Sequence, residues 1–215
     1  QEAITTLYSD YDFLHTLVAL REPINGAENL DGFLAKGNSI SDEDLLERRA
    51  TVDTMDPALL VYTSGSTGKP KGALLSHYGL CFGATIQNKH YPDKPPKMLC
   101  SFPINHVACV ADTCCINLVA GGTLIFQERF DPGEVLKAIE EEKITVLLAV
   151  PTMILLLLEH PNFSETDFSS LEMIAWGGAA LPAPIIERLK LLAHRLMNVY
   201  GLTETAANVT YTSVN

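Results

Sequence analysis

Short runs of unbroken apolar residues recur along this chain, and each leads into a helical pattern. Ile144 to Ala149 precedes a helix opening at Pro151 and reaching Glu159. Glu172 to Ala175 precedes a helix that opens at Pro182 or Pro184 and runs to about His194. Leu59 to Tyr62, Met98 to Phe102, Thr123 to Phe126 and Leu196 to Tyr200 read as further strands. Strands apolar on both faces belong in a parallel sheet, where helices cover each side. The expected fold is therefore α/β, a parallel-rich sheet covered by helices on both faces. Ligands of such sheets bind beyond the carboxyl ends of the strands.

The remaining elements follow from caps and breakers. Leu14 to Leu20 reads as a strand and Glu22 to Asn29 as a loop, followed by a short helix from Leu30 to Ala35. Ser41 caps a helix whose first turn holds Asp42, Glu43 and Asp44, where the helix dipole favours acids. Ser76 caps a helix to about Asn88. His106 to Val119 is helical and ends at Gly121-Gly122. Asp131-Pro132 starts another helix, to Glu142.

The chain has 215 residues and a net charge of −11. That balance argues against a nucleic-acid surface, which needs a basic patch. It leaves room for a site with a few local lysines. The five cysteines, at 81, 100, 109, 114 and 115, have neither zinc-ligand spacing nor the even count of a disulfide framework. They read as reduced, mostly buried thiols of a cytoplasmic protein. Gln1-Glu2-Ala3-Ile4 offers no signal peptide. The apolar run from Ile144 to Leu158 is broken by Pro151 and too short for a transmembrane segment. Peripheral membrane contact and a homodimer stay open. The start without methionine, and the end at Thr212-Ser213-Val214-Asn215, suggest an excised portion of a longer protein.

One loop carries the chemistry. After Leu59-Leu60-Val61 comes Tyr62-Thr63-Ser64-Gly65-Ser66-Thr67-Gly68-Lys69-Pro70-Lys71-Gly72, and a helix start near Ser76-His77 follows. Glycines admit close backbone approach, hydroxyls donate hydrogen bonds and lysine adds charge, as a polyphosphate requires. The spacing is not that of a Walker loop. Gly65 and Gly68 are too close, and Lys69 precedes a proline. On composition alone, a polar surface turn is an equal reading.

The whole string resembles the signature loop of the adenylate-forming superfamily of AMP-dependent synthetases and ligases, which includes the acyl-CoA synthetases. Every fixed position of [YF]-T-S-G-[ST]-T-G-x-P-K-G is matched. Two further motifs follow in the family's order, Trp176-Gly177-Gly178-Ala179-Ala180-Leu181 and Asn198-Val199-Tyr200-Gly201-Leu202-Thr203-Glu204-Thr205. The resemblance covers the chain from about Asp42 onward, and more loosely before it. It implies that residues 1–215 form part of the N-terminal AMP-binding (adenylation) domain, with the small C-terminal domain absent.

The resemblance also implies roles. The loop formed by Thr63, Ser64, Gly65, Ser66, Thr67 and Gly68, with Lys71, would hold the β- and γ-phosphates of ATP. Lys69 falls at a variable position and reads as a solvated charge. Thr63 and Glu204 would approach Mg²⁺, with Thr203 beside them. Taken alone, a Thr-Glu pair after a glycine turn more often caps a helix. Gly177, Gly178, Ala179, Asn198, Tyr200 and Gly201 would surround the nucleotide. His106, in Phe102-Pro103-Ile104-Asn105-His106-Val107, matches a P-x-x-H element that positions the carboxylate. The expected catalytic set is Lys71, His106, Thr203 and Glu204.

The implied activity is ATP-dependent activation of a carboxylic acid to an acyl-adenylate, then thioester formation with CoA. Amino-acid-activating relatives place an aspartate near His106. Here Asp112 lies one to two turns on, and would serve only in a different register. A fatty or aryl acid is therefore favoured, within fatty acid metabolism. The candidate pocket walls are His106, Val110, Ala111, Cys114, Trp176, Gly177 and Ala206-Ala207. Trp176 would close the pocket or pack in the core. Alternatives are a ligase loading a carrier protein and a non-catalytic nucleotide- or acyl-binding module. The family's ribose-binding aspartate, hinge and C-terminal lysine do not appear here, so the segment alone is expected to turn over little or not at all.

Overall fold

The computed structural model describes residues 6, 8, 10–65, 68–92 and 94–214. The chain falls into two units, Gln1–Asp53 and Thr54–Asn215. In the first, strand β1 (Val18–Ala19) pairs in parallel with β2 (Glu28–Asn29). Asn29 then caps helix α1 (Leu30–Ala35), its side chain accepting from the Gly32 amide. Helix α2 (Asp42–Ala50) opens with the predicted Ser41 cap, closed reciprocally by Asp44. The strand expected over Leu14 to Leu20 shrinks to two residues, and the expected loop contains β2. Leu14 and Leu20 are exposed, so burial does not hold a longer strand there.

In the second unit, β3 (Pro57–Thr63) turns back through the glycine loop into β4 (Lys71–Ser76), forming an antiparallel hairpin. This corrects the sequence reading in two ways. The loop leads into a strand before any helix, and β3 lies outside the parallel sheet. Leu75 on β4 is buried while Leu74 is exposed, the alternation of a strand with one covered face. Ser76 then caps helix α3 (His77–Asn88) through the Gly79 amide.

The chain continues through β5 (Lys97–Cys100), a π-helical segment (Ala108–Cys115) that runs into α4 (Ile116–Ala120), β6 (Thr123–Phe126), α5 (Pro132–Glu141), β7 (Val146–Ala149), α6 (Pro151–Glu159), β8 (Met173–Trp176), α7 (Ala183–Leu189), β9 (Arg195–Leu202) and β10 (Ala207–Val214). Six strands form one sheet in the order β10-β9-β8-β7-β5-β6. All pairs are parallel except β10 with β9.

Alternate residues of each central strand feed opposite cores. Leu99, Leu147, Ala149, Ile174, Trp176 and Leu196 face α5, α6 and α7. Met98, Val146, Leu148, Met173, Ala175 and Met197 face α3 and α4. Strands buried on both faces are thus covered by helices on both sides, as expected. A third cluster, Val61, Leu75, Leu80, Val107, Ala111 and Ala207, joins the hairpin to the π-helical segment and the start of β10. The helix expected to reach His194 stops at Leu189.

The expected helix over His106 to Val119 exists, but its first part closes i to i+5. Thr113 Oγ1 donates to the Ala108 carbonyl at 2.7 Å, and Cys115 Sγ contacts the Val110 carbonyl at 3.1 Å. Both side chains bond five residues back, in the π register. Such segments gather at functional sites.

Candidate active site

The hairpin loop is shaped by its glycines. Gly65 has φ +60°, and a Cβ there would strike the Lys69 carbonyl oxygen and lie 3.5 Å from Lys71 Cε. The Gly68 amide donates to the Gly65 carbonyl at 3.2 Å. The register pairs Thr63 with Lys71 at the loop end of the hairpin. Ser66 and Thr67 lie outside the described residues.

A cavity of about 370 Å³ opens beside this end of the hairpin, over the carboxyl ends of β7, β8 and β9. Its size suits a small organic ligand. Of the predicted residues, Thr63, His106, Gly177, Gly178, Gly201, Thr203 and Glu204 line it. Ser64, Gly65, Gly68, Lys71, Ala179, Asn198 and Tyr200 are not in its wall. Lys71 and Tyr200 are exposed, and Asn198 sits on β9 between its partners Trp176 and Thr212. Among the expected pocket walls, His106, Gly177 and Ala207 line the cavity. Trp176 is 1% exposed and packs in the core.

Glu204 follows β9 in a short turn, Thr203–Thr205. The cap of that turn is Thr205, whose Oγ1 accepts from the Leu202 amide at 3.2 Å. Thr203 and Glu204 therefore reach the cavity without serving as its cap. Gly201 is needed sterically, since a Cβ there would strike the Ala207 carbonyl oxygen. Ala206 and Ala207 carry φ of 55° and 98°, strained values for residues with a Cβ and typical of functional turns.

His106 is exposed, and its Nδ1 accepts from the Ala108 amide at 3.1 Å. The neutral ring then carries its proton on Nε2, which becomes the free donor. Thr63, Thr203 and Glu204 offer hydroxyl and carboxylate oxygens, the hard ligands that Mg²⁺ prefers. Among the described residues no three His, Cys, Asp or Glu side chains gather into a protein cage for a metal. The donor set fits a Mg²⁺ that takes its other ligands from phosphate and water.

Two cavity residues outside the predicted site set, Asp112 and Asn208, form a polar pair. Asp112 lines the wall, only 7% exposed. Asn208 Nδ2 donates to Asp112 Oδ1 at 2.9 Å and reaches Gln87 Oε1 at 3.0 Å. Burial pushes the Asp112 carboxyl up to about 7, with a Gln87 hydrogen bond opposing the shift. The π-helical segment carries Asp112 at the cavity wall. A shift in the β9–β10 pairing between Asn208 and Thr210 marks the bulge beside Asn208. The signal for Asn208 was a lone amide inside a strand-like apolar stretch.

The cysteines do not touch this chemistry. Cys100 and Cys109 are buried with their sulfurs 3.5 Å apart, and Cys81 is exposed. Burial pushes the Cys100 thiol up to about 11.

Residues 13–215 match the family described as AMP-binding enzyme. A feruloyl-CoA synthase of Amycolatopsis sp is 39% identical over 157 residues, covering 72% of this chain and 32% of its own. An indoleacetate–CoA ligase of Aromatoleum aromaticum is 32% identical over 197 residues, covering 91% of this chain and 38% of its own. The chain spans about a third of the length of these curated relatives. Among solved structures, the Bacillus subtilis o-succinylbenzoate coenzyme A synthetase in complex with ATP and magnesium ion superimposes with a TM-score of 0.65 at 29% identity, over 75% of this chain and 33% of that one. The inhibitor-bound N-terminal domain of FACL13 from Mycobacterium tuberculosis gives 0.64 at 26% identity, over 90% of this chain and 48% of that one.

Proposed function

The chain belongs to the AMP-binding enzyme family, whose relatives here are acid–thiol ligases of the acyl-CoA synthetase type, and we propose that it activates a carboxylic acid with ATP and passes the acyl group to CoA. A carboxylate oxygen attacks the α-phosphorus and pyrophosphate leaves. The CoA sulfur then attacks the acyl carbonyl and AMP leaves. In this reading residues 1–215 form part of an N-terminal adenylation domain that acts within a longer, cytoplasmic enzyme. Among the described residues no helix is long and apolar enough to cross a membrane.

The reading rests on one observation. Thr63, His106 and the Thr203-Glu204 pair come from three separate stretches and meet in one cavity floored by Gly177 and Gly178. Both reactants are anions, so the site must hold them together against repulsion. The Thr63–Lys71 loop, with Ser64, Ser66 and Thr67, takes the β- and γ-phosphates, and Lys71 adds the positive charge. Mg²⁺ held by Thr63 and Glu204 would neutralise the phosphate oxygens. His106 donates from Nε2 to one carboxylate oxygen and leaves the other to attack. Gly177, Gly178, Ala179, Asn198, Tyr200 and Gly201 border the nucleotide. The deeper, apolar wall takes an acyl or aryl chain.

ATP–pyrophosphate exchange in the full-length native protein tests this directly. Exchange that depends on an added carboxylic acid supports the proposal. Exchange absent with every acid, from folded protein, refutes it.

A further inference from the structure

The cavity is polar at its open end and apolar at its buried end. Thr63, His106 and Glu204 stand at the accessible side, where the anionic groups react. Leu148, Val199 and Ala207 form the buried wall, each less than a tenth exposed. Asp112 lies in that wall. It is the one buried ionisable group among the described residues lining the cavity. We propose that Asp112 is a specificity residue that selects carboxylic acids carrying a hydroxyl at the end away from the carboxylate. The inference rests on the acid-activating reading above.

The geometry supplies the argument. A buried polar group needs partners. Asn208 donates to one oxygen of Asp112, and the Gln87 amide beside it opposes the upward shift of the carboxyl. A carboxylate has roughly four acceptor positions, so two amides leave capacity toward the cavity. An alkyl or phenyl terminus cannot use that capacity and would strip Asp112 of water without replacing it. A hydroxyl donates to the ionised carboxylate and accepts from the protonated one. Both forms are present near neutrality, because burial pushes Asp112 up to about 7. An ammonium terminus fits less well. It brings three donors and a full charge to a wall that is otherwise apolar there. The π register of Ala108–Cys115 and the bulge beside Asn208 are the two local irregularities that meet at this group.

The test uses matched acids in the full-length native protein, with kcat/KM for pyrophosphate release as the readout. The pairs are 3-phenylpropanoate with 3-(4-hydroxyphenyl)propanoate, and octanoate with 8-hydroxyoctanoate, with 8-aminooctanoate as the cationic control. In the wild type the hydroxylated member of at least one pair should be preferred by about tenfold or more. Asp112→Leu should abolish or reverse that preference and improve the plain acid. Asp112→Asn preserves shape and amide contacts, and should keep only part of the preference. A merely structural role would lower all acids together and leave the ratio unmoved. Ratios near one for both wild-type pairs, ratios unchanged in both variants, or preference for the amine would each overturn the proposal. Pyrophosphate release with none of the acids would instead refute the acid-activating reading, and this inference with it.

Discussion

Thr63 and Lys71 are cross-strand partners at the loop end of the β3–β4 hairpin, with the glycine loop strung between them. Thr63 lines the cavity while Lys71 stands just outside its wall. In the proposed reading Thr63 serves the reacting centre and Lys71 the phosphates that the loop would wrap. Lys71→Ala should raise the barrier to adenylate formation by about 2–4 kcal/mol, as for loss of a charged group facing a transition state. Lys71 is exposed, so the thermal midpoint should barely move. Adenylation rates equal to wild type would remove Lys71 from the site.

Glu204 is not needed to cap its own turn, since Thr205 does that. Glu204→Ala should therefore lower adenylation by a similar factor of about 2–4 kcal/mol without unfolding the turn. Titrating Mg²⁺ separates the roles. A metal ligand lost should raise the Mg²⁺ concentration needed for half-maximal rate, whereas an unchanged requirement would argue against Glu204 as a ligand.

His106 works, in this account, through Nε2, because the Ala108 amide occupies Nδ1. His106→Ala should reduce kcat by about 10²-fold or more, in the range for a lost positioning or proton-handling group, while ATP binding persists. Full activity in that variant would leave His106 as a helix-entry residue only.

Asp112 sets a stability signature. Its carboxyl rises from 3.8 to about 7 in the folded chain because burial disfavours the charge. Between about pH 4 and about pH 7 the folded chain therefore holds a proton that the unfolded chain has lost. Stability should fall as pH rises through that window, by on the order of 3–4 kcal/mol in all. Asp167, held down to about 2 by its bonds to Ser169 and then Lys143, titrates below it. Denaturant melts across this range should show the decline, and Asp112→Asn should flatten it. Equal slopes in both proteins would contradict the burial argument.

The legible and illegible parts of this fold differ in their physics. β7 and β8 were readable because strands buried on both faces need unbroken apolar runs. Helices α2, α3 and α5 were readable because Ser41, Ser76 and Asp131 cap them as their chemistry dictates. β4 was hidden because Lys71-Gly72 reads as the end of a loop and only Leu75 is buried. The π register was hidden because it shows itself in side-chain bonds to carbonyls five residues back, and Thr113 and Cys115 look ordinary in sequence. Asp112 was set aside on its register and Asn208 went unread for a similar reason: each reaches the cavity through an irregularity, one helical and one at a bulge. The motif residues that line the cavity were found by resemblance. Their convergence followed from strand ends meeting on one rim, although β3 reaches that rim from a hairpin and not from the sheet.

The most direct test of the central claim is ATP-dependent acyl-hydroxamate formation by the full-length native protein, without CoA, across a panel of fatty and aryl carboxylic acids. The account predicts hydroxamate with a few acids, dependent on both ATP and Mg²⁺. Folded protein that binds ATP yet forms no hydroxamate with any acid would contradict it.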